Sequence, residues 1–87
     1  MSYQLEILPE AAETIRRLDN PTRRRIIFRL NWLSLNFDTI KPQRLTGKLR
    51  AMYKLRAGDY RVLYSVDYNK RLIIIHRIGH RRDVYED

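Results

Sequence analysis

Between Arg50 and Tyr85 the chain crowds Lys, Arg, His and Tyr onto the polar positions of three apolar-patterned stretches, RAMYKLR, DYRVLYSVDY and RLIIIHRI, and onto the tail GHRRDVY. These are the side chains that grip anions and carry protons near neutral pH. In a β-strand, successive side chains point to opposite faces. The first stretch then places Ala51, Tyr53 and Leu55 on one side and Met52, Lys54 and Arg56 on the other. One face can build a core while the other holds an anion.

The charge balance names the kind of anion. The chain has 18 Lys and Arg against 10 Asp and Glu, a net charge of +8. From Lys41 to Arg82 there are 12 basic residues and 2 acids, Asp59 and Asp67, so this half alone carries +10. Such a surface favours phosphate polymers, although a solubilising basic surface or an acidic protein partner reads from the same numbers. Fourteen of the cations are Arg, whose planar fork grips a phosphate with two hydrogen bonds. With no cysteine there is no disulfide framework, thiolate nucleophile or cysteine zinc site. His76 and His80 lack metal-ligand spacing, so a metal-free protein without cofactors is expected.

The elements that must position these side chains follow from length and period. Eighty-seven residues suit one domain, spanning 1–87, with a single core. The longest apolar run, Leu72 to Ile75, falls far short of the roughly 20 residues that cross a bilayer. The start, Met1-Ser-Tyr-Gln, lacks the features of a secretion signal. A soluble, cytoplasmic protein without membrane contact is expected.

Residues 3–8 alternate as a half-buried strand. Pro9 opens a helix to about Leu18, with Glu10 and Glu13 complementing its dipole. Asn20 and Pro21 cap and begin a second helix to about Asn36, whose stripe is Ile26, Leu30, Leu33 and Phe37. So short a linker makes the two helices an antiparallel hairpin. Arg23, Arg24 and Arg25 read most simply as a solvated helix face, with contact to an RNA backbone as the alternative.

Residues 38–48 read as a connection anchored to the core by Leu45 and Leu49. Three strands follow as an antiparallel meander with turns at Ala57-Gly58-Asp59 and Asn69-Lys70. Leu72–Ile75, lacking alternation, reads as the most buried strand. The fold class is therefore α+β: an N-terminal strand, a helix hairpin, then a three-stranded meander, with both helices on one face of the sheet. Tyr53, Tyr60, Tyr64 and Tyr68 read as packing rings, one of which could stack a base. His76 reads as a structural histidine.

The opening strand and helix hairpin, the run LTGKLRAMYKLRAGDYRVLYSVD and the closing RIGHRRDVY resemble toxins of the RelE/ParE superfamily of type II toxin–antitoxin modules, in particular the RelE branch. The resemblance covers nearly the whole chain and is most specific in YKLRAGDYRVLY and IGHRRDVY. It implies a RelE-like fold and an endoribonuclease, an mRNA interferase, that cleaves messenger RNA in the ribosomal decoding site. The reaction would turn the 2′-hydroxyl on the neighbouring phosphate without a metal and so inhibit translation. The implied partners are the ribosome, mRNA and a cognate acidic antitoxin like RelB, in a heteromeric complex.

By position in those motifs Lys54, Arg61, Arg81 and Tyr85 match the family's active-site residues. Arg61 would bind the scissile phosphate, Arg81 would stabilise the transition state and leaving group, and Lys54 with Tyr85 would assist or receive the 2′-OH proton. Lys54 would serve as a base only if neighbouring cations lowered its proton affinity. His80 is an acid/base candidate as well, against a turn or RNA-contacting role. Lys48, Arg50, Arg56 and Arg82 are candidate RNA-backbone contacts. Met52 stands where relatives carry a second lysine. The alternative function is that of a ParE-like toxin that binds and inhibits DNA gyrase without nuclease activity.

Overall fold

The computed structural model describes residues 2–85. In chain order it contains β1 (Gln4–Ile7), α1 (Pro9–Arg17), α2 (Asn20–Asn36), β2 (Gln43–Arg44), β3 (Tyr53–Ala57), β4 (Tyr60–Asp67) and β5 (Leu72–His80), with single 3-10 turns at Phe37–Thr39 and Gly47–Leu49. The expected α+β class and meander are present. The five strands are ordered β1-β5-β4-β3-β2, with β1 parallel to β5 and the other neighbours antiparallel. Two boundaries differ from the sequence reading. Residues 50–52 lie in a turn before β3, so Ala51 is an exposed turn residue. The connection after α2 also contributes a two-residue strand, too short to show any period.

Local chemistry explains the helix hairpin. Pro9 stands in the first turn of α1 with Glu10, and Arg16 and Arg17 end it, an order that suits the helix dipole. The residue that caps α2 is Asp19 rather than Asn20: its carboxylate accepts from the Thr22 N–H at 3.3 Å. That bonding holds the Asp19 carboxyl below its ordinary value. Arg23 leaves the solvated face expected for it and folds back over the end of α1. Its guanidinium donates to the carbonyls of Ile15 (3.1 Å), Arg16 (3.0 Å) and Leu18 (2.6 Å). One arginine thereby satisfies acceptors that a helix C-terminus leaves without intrahelical donors.

Both helices cover one face of the sheet. Ala11 from α1 and Ile26, Leu30 and Leu33 from α2 pack with Leu55, Ala57, Val62, Tyr64, Ile73, Ile75 and Ile78 in one buried cluster. A register shift between Leu63 and Tyr64 pairs Leu63 with Arg77 and Tyr64 with Ile75, so His76 is left over in β5. The extra residue lets both Ile75 and Ile78 face the core and turns Arg77 to the opposite, open face.

The run 72–75 is consequently not uniformly buried: Ile73 and Ile75 are fully enclosed, whereas Leu72 and Ile74 are half-buried. His76 Nε2 and Ser65 Oγ are 2.7 Å apart, and burial pushes the His76 pKa down. Leu45 and Leu49, expected in the core, instead line a cleft with Lys54 and Tyr85.

Candidate functional site

The open face is set by the register of three strands. On it Lys54 of β3 stands opposite Leu63 of β4, and Leu63 opposite Arg77 of β5. One step along, Arg56 stands opposite Arg61, and Arg61 opposite Gly79. Lys54 and Arg61 are therefore diagonal neighbours on one face, while the direct partner of Arg61 is Arg56. Like charges set directly opposite each other disfavour a sheet, and a bound phosphate would relieve that repulsion.

Lys54 borders a cleft of about 430 Å³ lined by Leu45, Thr46, Lys48, Leu49 and Tyr85. Its ammonium lies 5.8 Å from the centroid of the Tyr85 ring, within reach of the attraction between a cation and an aromatic face. Lys48 reaches the cleft from the 3-10 turn Gly47–Leu49. Gly47 begins that turn with φ of +65°, a conformation that glycine adopts without a Cβ penalty. An ammonium, a phenol and a second lysine thus share one cleft.

The arginines gather beside the β3–β4 turn. Arg61 Nη1 donates to the carbonyls of Gly58 (2.9 Å) and Tyr60 (3.0 Å). The Arg81 backbone N–H donates to the carbonyl of Asp59 at 2.8 Å, extending the β4–β5 ladder past the last strand pair. The Arg61 guanidinium and the Arg81 backbone are therefore fixed to the same turn, with the Arg81 side chain exposed. Arg50, Arg56 and Arg82 are exposed as well.

His80 takes another direction. It pairs with Tyr60, one strand alternation beyond the buried pair Val62–Ile78, and so projects toward the helix side of the sheet. Its ring meets Tyr60 edge-on at 5.7 Å, and its Nδ1 accepts the Arg82 backbone N–H at 3.2 Å. Its carbonyl accepts from Asp83 (2.9 Å) and Val84 (3.0 Å). These contacts hold His80 in the turn that leads to Arg81 and Tyr85.

Val84 was not singled out from the sequence, although it is the one aliphatic side chain in the polar tail GHRRDVY. It is 2% exposed and lies against Gly79. A neighbouring cleft of about 330 Å³ contains Leu49, Met52, Leu63 and His76, which places Met52 in an apolar wall. Among the described residues, no group of three or more His, Cys, Asp or Glu stands together to hold a metal. No described helix is long and apolar enough to cross a membrane.

Residues 5–85 match the family of ParE toxins of type II toxin–antitoxin systems, parDE. No curated protein matches the chain by sequence. Among solved structures it is similar to a chain of the RelBE2 toxin–antitoxin complex from Mycobacterium tuberculosis, at 24% identity over 94% of each chain, with a TM-score of 0.80. It is also similar to a chain of the archaeal RelE–RelB complex from Pyrococcus horikoshii OT3, at 26% identity over 97% of this chain and 100% of that one, TM-score 0.74. The isolated E. coli RelE toxin is 26% identical over 91% of this chain and 84% of that one, TM-score 0.73.

Proposed function

Since the chain belongs to the ParE toxin family within the RelE/ParE superfamily of type II toxin–antitoxin toxins, we propose that it is an endoribonuclease of the RelE kind that cleaves mRNA on the ribosome without a metal. The observation that carries this reading is the Lys54 ammonium beside the Tyr85 ring, one diagonal step on the sheet from Arg61. Breaking an RNA strand by its own 2′-hydroxyl needs a proton acceptor for that hydroxyl, positive charge on the phosphorane-like oxygens, and stabilisation of the leaving 5′-oxygen. The new bond joins the 2′-oxygen to phosphorus and the bond to the 5′-oxygen breaks. The products are a 2′,3′-cyclic phosphate and a 5′-hydroxyl.

In this assignment Arg61 and Arg56 grip the scissile phosphate, and Arg81 stabilises the transition state and leaving group. Arginine is a poor base, because it keeps its proton in proteins. Proton transfer therefore falls to Lys54 with Tyr85. Lys48, Arg50 and Arg82 bind flanking phosphates, and His80 shapes the tail rather than taking the proton. The site of action is the cytoplasm, where translating ribosomes are. A cognate acidic antitoxin completes the module. It would cover apolar side chains of α2 left in solvent, Phe28 and Leu35, each 69% exposed, in the manner of an amphipathic helix laid across them.

A second reading, a toxin that binds DNA gyrase and cuts no RNA, draws support from the matched family's name. A binding toxin has no need of a proton carrier beside a phosphate grip. Mapping RNA ends after induction in cells separates the two. Cuts within translated mRNA that vanish in Arg61→Ala and Arg81→Ala support the nuclease, and DNA damage without such cuts supports gyrase binding.

A further inference from the structure

Tyr85 lies beyond the last strand, in a turn, with its ring exposed. An exposed aromatic on a short tail has no fixed place unless its backbone is tied down. We propose that Glu10, Arg77, Gly79 and Val84 form a latch that seats Tyr85 against Lys54, which makes Glu10 and Arg77 positioning residues for cleavage. The proposal deepens, and rests on, the nuclease reading.

The latch can be traced atom by atom. Glu10, in the first turn of α1, accepts from Arg77 Nε at 3.2 Å. The same guanidinium donates through Nη1 to the Val84 carbonyl at 3.2 Å, the last acceptor before Tyr85. The Val84 N–H donates to His80 at 3.0 Å, so both polar backbone groups of residue 84 are held. Its side chain is buried on β5 where residue 79 is glycine. A Cβ at position 79 would come within 3.2 Å of the Val84 Cβ and 3.4 Å of its Cα, closer than side chains normally pack.

The bulge in β5 is what makes this arrangement available, because it turns Arg77 onto the open face instead of into the core. Helix α1, distant in sequence from the tail, thereby acts on Tyr85 through one guanidinium. The pair's side chains are 34% and 66% exposed, and exposed ion pairs add little to stability. The latch's contribution is consequently to geometry, and it can be broken without unfolding the protein.

The test reads the Lys54 side chain directly. In a protein carrying ¹³C-labelled lysine, the Tyr85 ring shifts the Lys54 ε-proton resonances upfield, a shift that Tyr85→Ala abolishes. Arg77→Gln and Gly79→Ala should move these resonances most of the way to the Tyr85→Ala position, with backbone amide spectra elsewhere unchanged. Glu10→Gln should move them part of the way. Single-turnover cleavage should fall about tenfold in Arg77→Gln with substrate affinity unchanged, the signature of a misplaced group rather than a lost contact. Arg77→Lys should restore part of the loss.

Lys54 resonances that stay at their wild-type positions in both Arg77→Gln and Gly79→Ala would overturn the latch. A protein that shows the predicted shifts yet cleaves no RNA would keep the latch and remove the nuclease reading instead.

Discussion

Arg56 and Arg61 stand directly opposite each other on adjacent antiparallel strands, on the face of the sheet that no helix covers. Among the described residues, ion pairs join Glu13 to Arg16 and Arg17, Asp38 to Arg71, and Glu10 to Arg77. Like charges at directly opposite positions of a sheet disfavour the free protein, and an anion bound between Arg56 and Arg61 would offset that repulsion. Replacing one of them should therefore move folding and function in opposite directions. Arg56→Gln is expected to raise stability by a few tenths to about 1 kcal/mol, read by urea unfolding, while weakening RNA binding. A loss of stability on substitution would mean that Arg56 is held by contacts rather than opposed by Arg61.

The same charges set the salt dependence. For a single-stranded RNA each phosphate contact removed should flatten the slope of log K against log salt by about 0.7. Arg56→Gln and Arg61→Gln should each give that change. Arg24→Gln, on the outer face of α2, should leave the slope alone. Equal flattening in all three would describe a diffuse basic surface with no particular grip on phosphate.

Acid should destabilise the protein in two separate windows. Burial favours neutral His76 in the fold, so the unfolded chain takes up a proton first. Its contribution is complete above the ordinary value of 6.5 and is lost as pH falls through the lower folded value. Asp19 is held below its ordinary 3.8 by bonding from Thr22, so its contribution lasts to lower pH and fades only as that carboxylate protonates. Unfolding measured from pH 8 to pH 3 should show an early decline that His76→Gln removes and a later one that Asp19→Asn reduces. An early decline that persists in His76→Gln would assign it to another group.

Antitoxin capture should depend on the outer stripe of α2. Phe28→Glu combined with Leu35→Glu is expected to weaken the complex at least tenfold, since the loss of two apolar anchors at an interface costs more than about 1.4 kcal/mol. Both side chains are in solvent in the free protein, so folding should be unaffected. Unchanged affinity, measured by calorimetry with the cognate antitoxin, would place the antitoxin elsewhere on the fold.

The parts of the fold that were legible in the sequence are those with a period. The stripe Ile26, Leu30 and Leu33 and the alternation around Tyr53–Ala57 each bury one face, and both faces are in the core. The two-residue β2 has no period to read. The bulge was hidden because Leu72-Ile73-Ile74-Ile75 looks the same whether a strand is flat or kinked, and only pairing with β4 decides which isoleucines turn inward. Arg23 was read as solvated because its partners are carbonyls of the preceding helix, and a carbonyl leaves no mark in a sequence. At the site, Lys54 and Tyr85 were named by their positions in YKLRAGDYRVLY and IGHRRDVY, the motifs that carry the family resemblance. The direction of His80 followed from strand parity at the end of β5, which depends on where the bulge falls.

The most direct test of the central claim is single-turnover cleavage of mRNA on programmed ribosomes in excess chelator, with and without a 2′-deoxy residue at the scissile position. The account predicts cleavage of the all-ribose message to a 2′,3′-cyclic phosphate and no cleavage of the deoxy message. It further predicts a loss of rate on the order of 10²-fold or more in Lys54→Ala. Cleavage of the deoxy message at the ordinary rate, or full activity in Lys54→Ala, would contradict it.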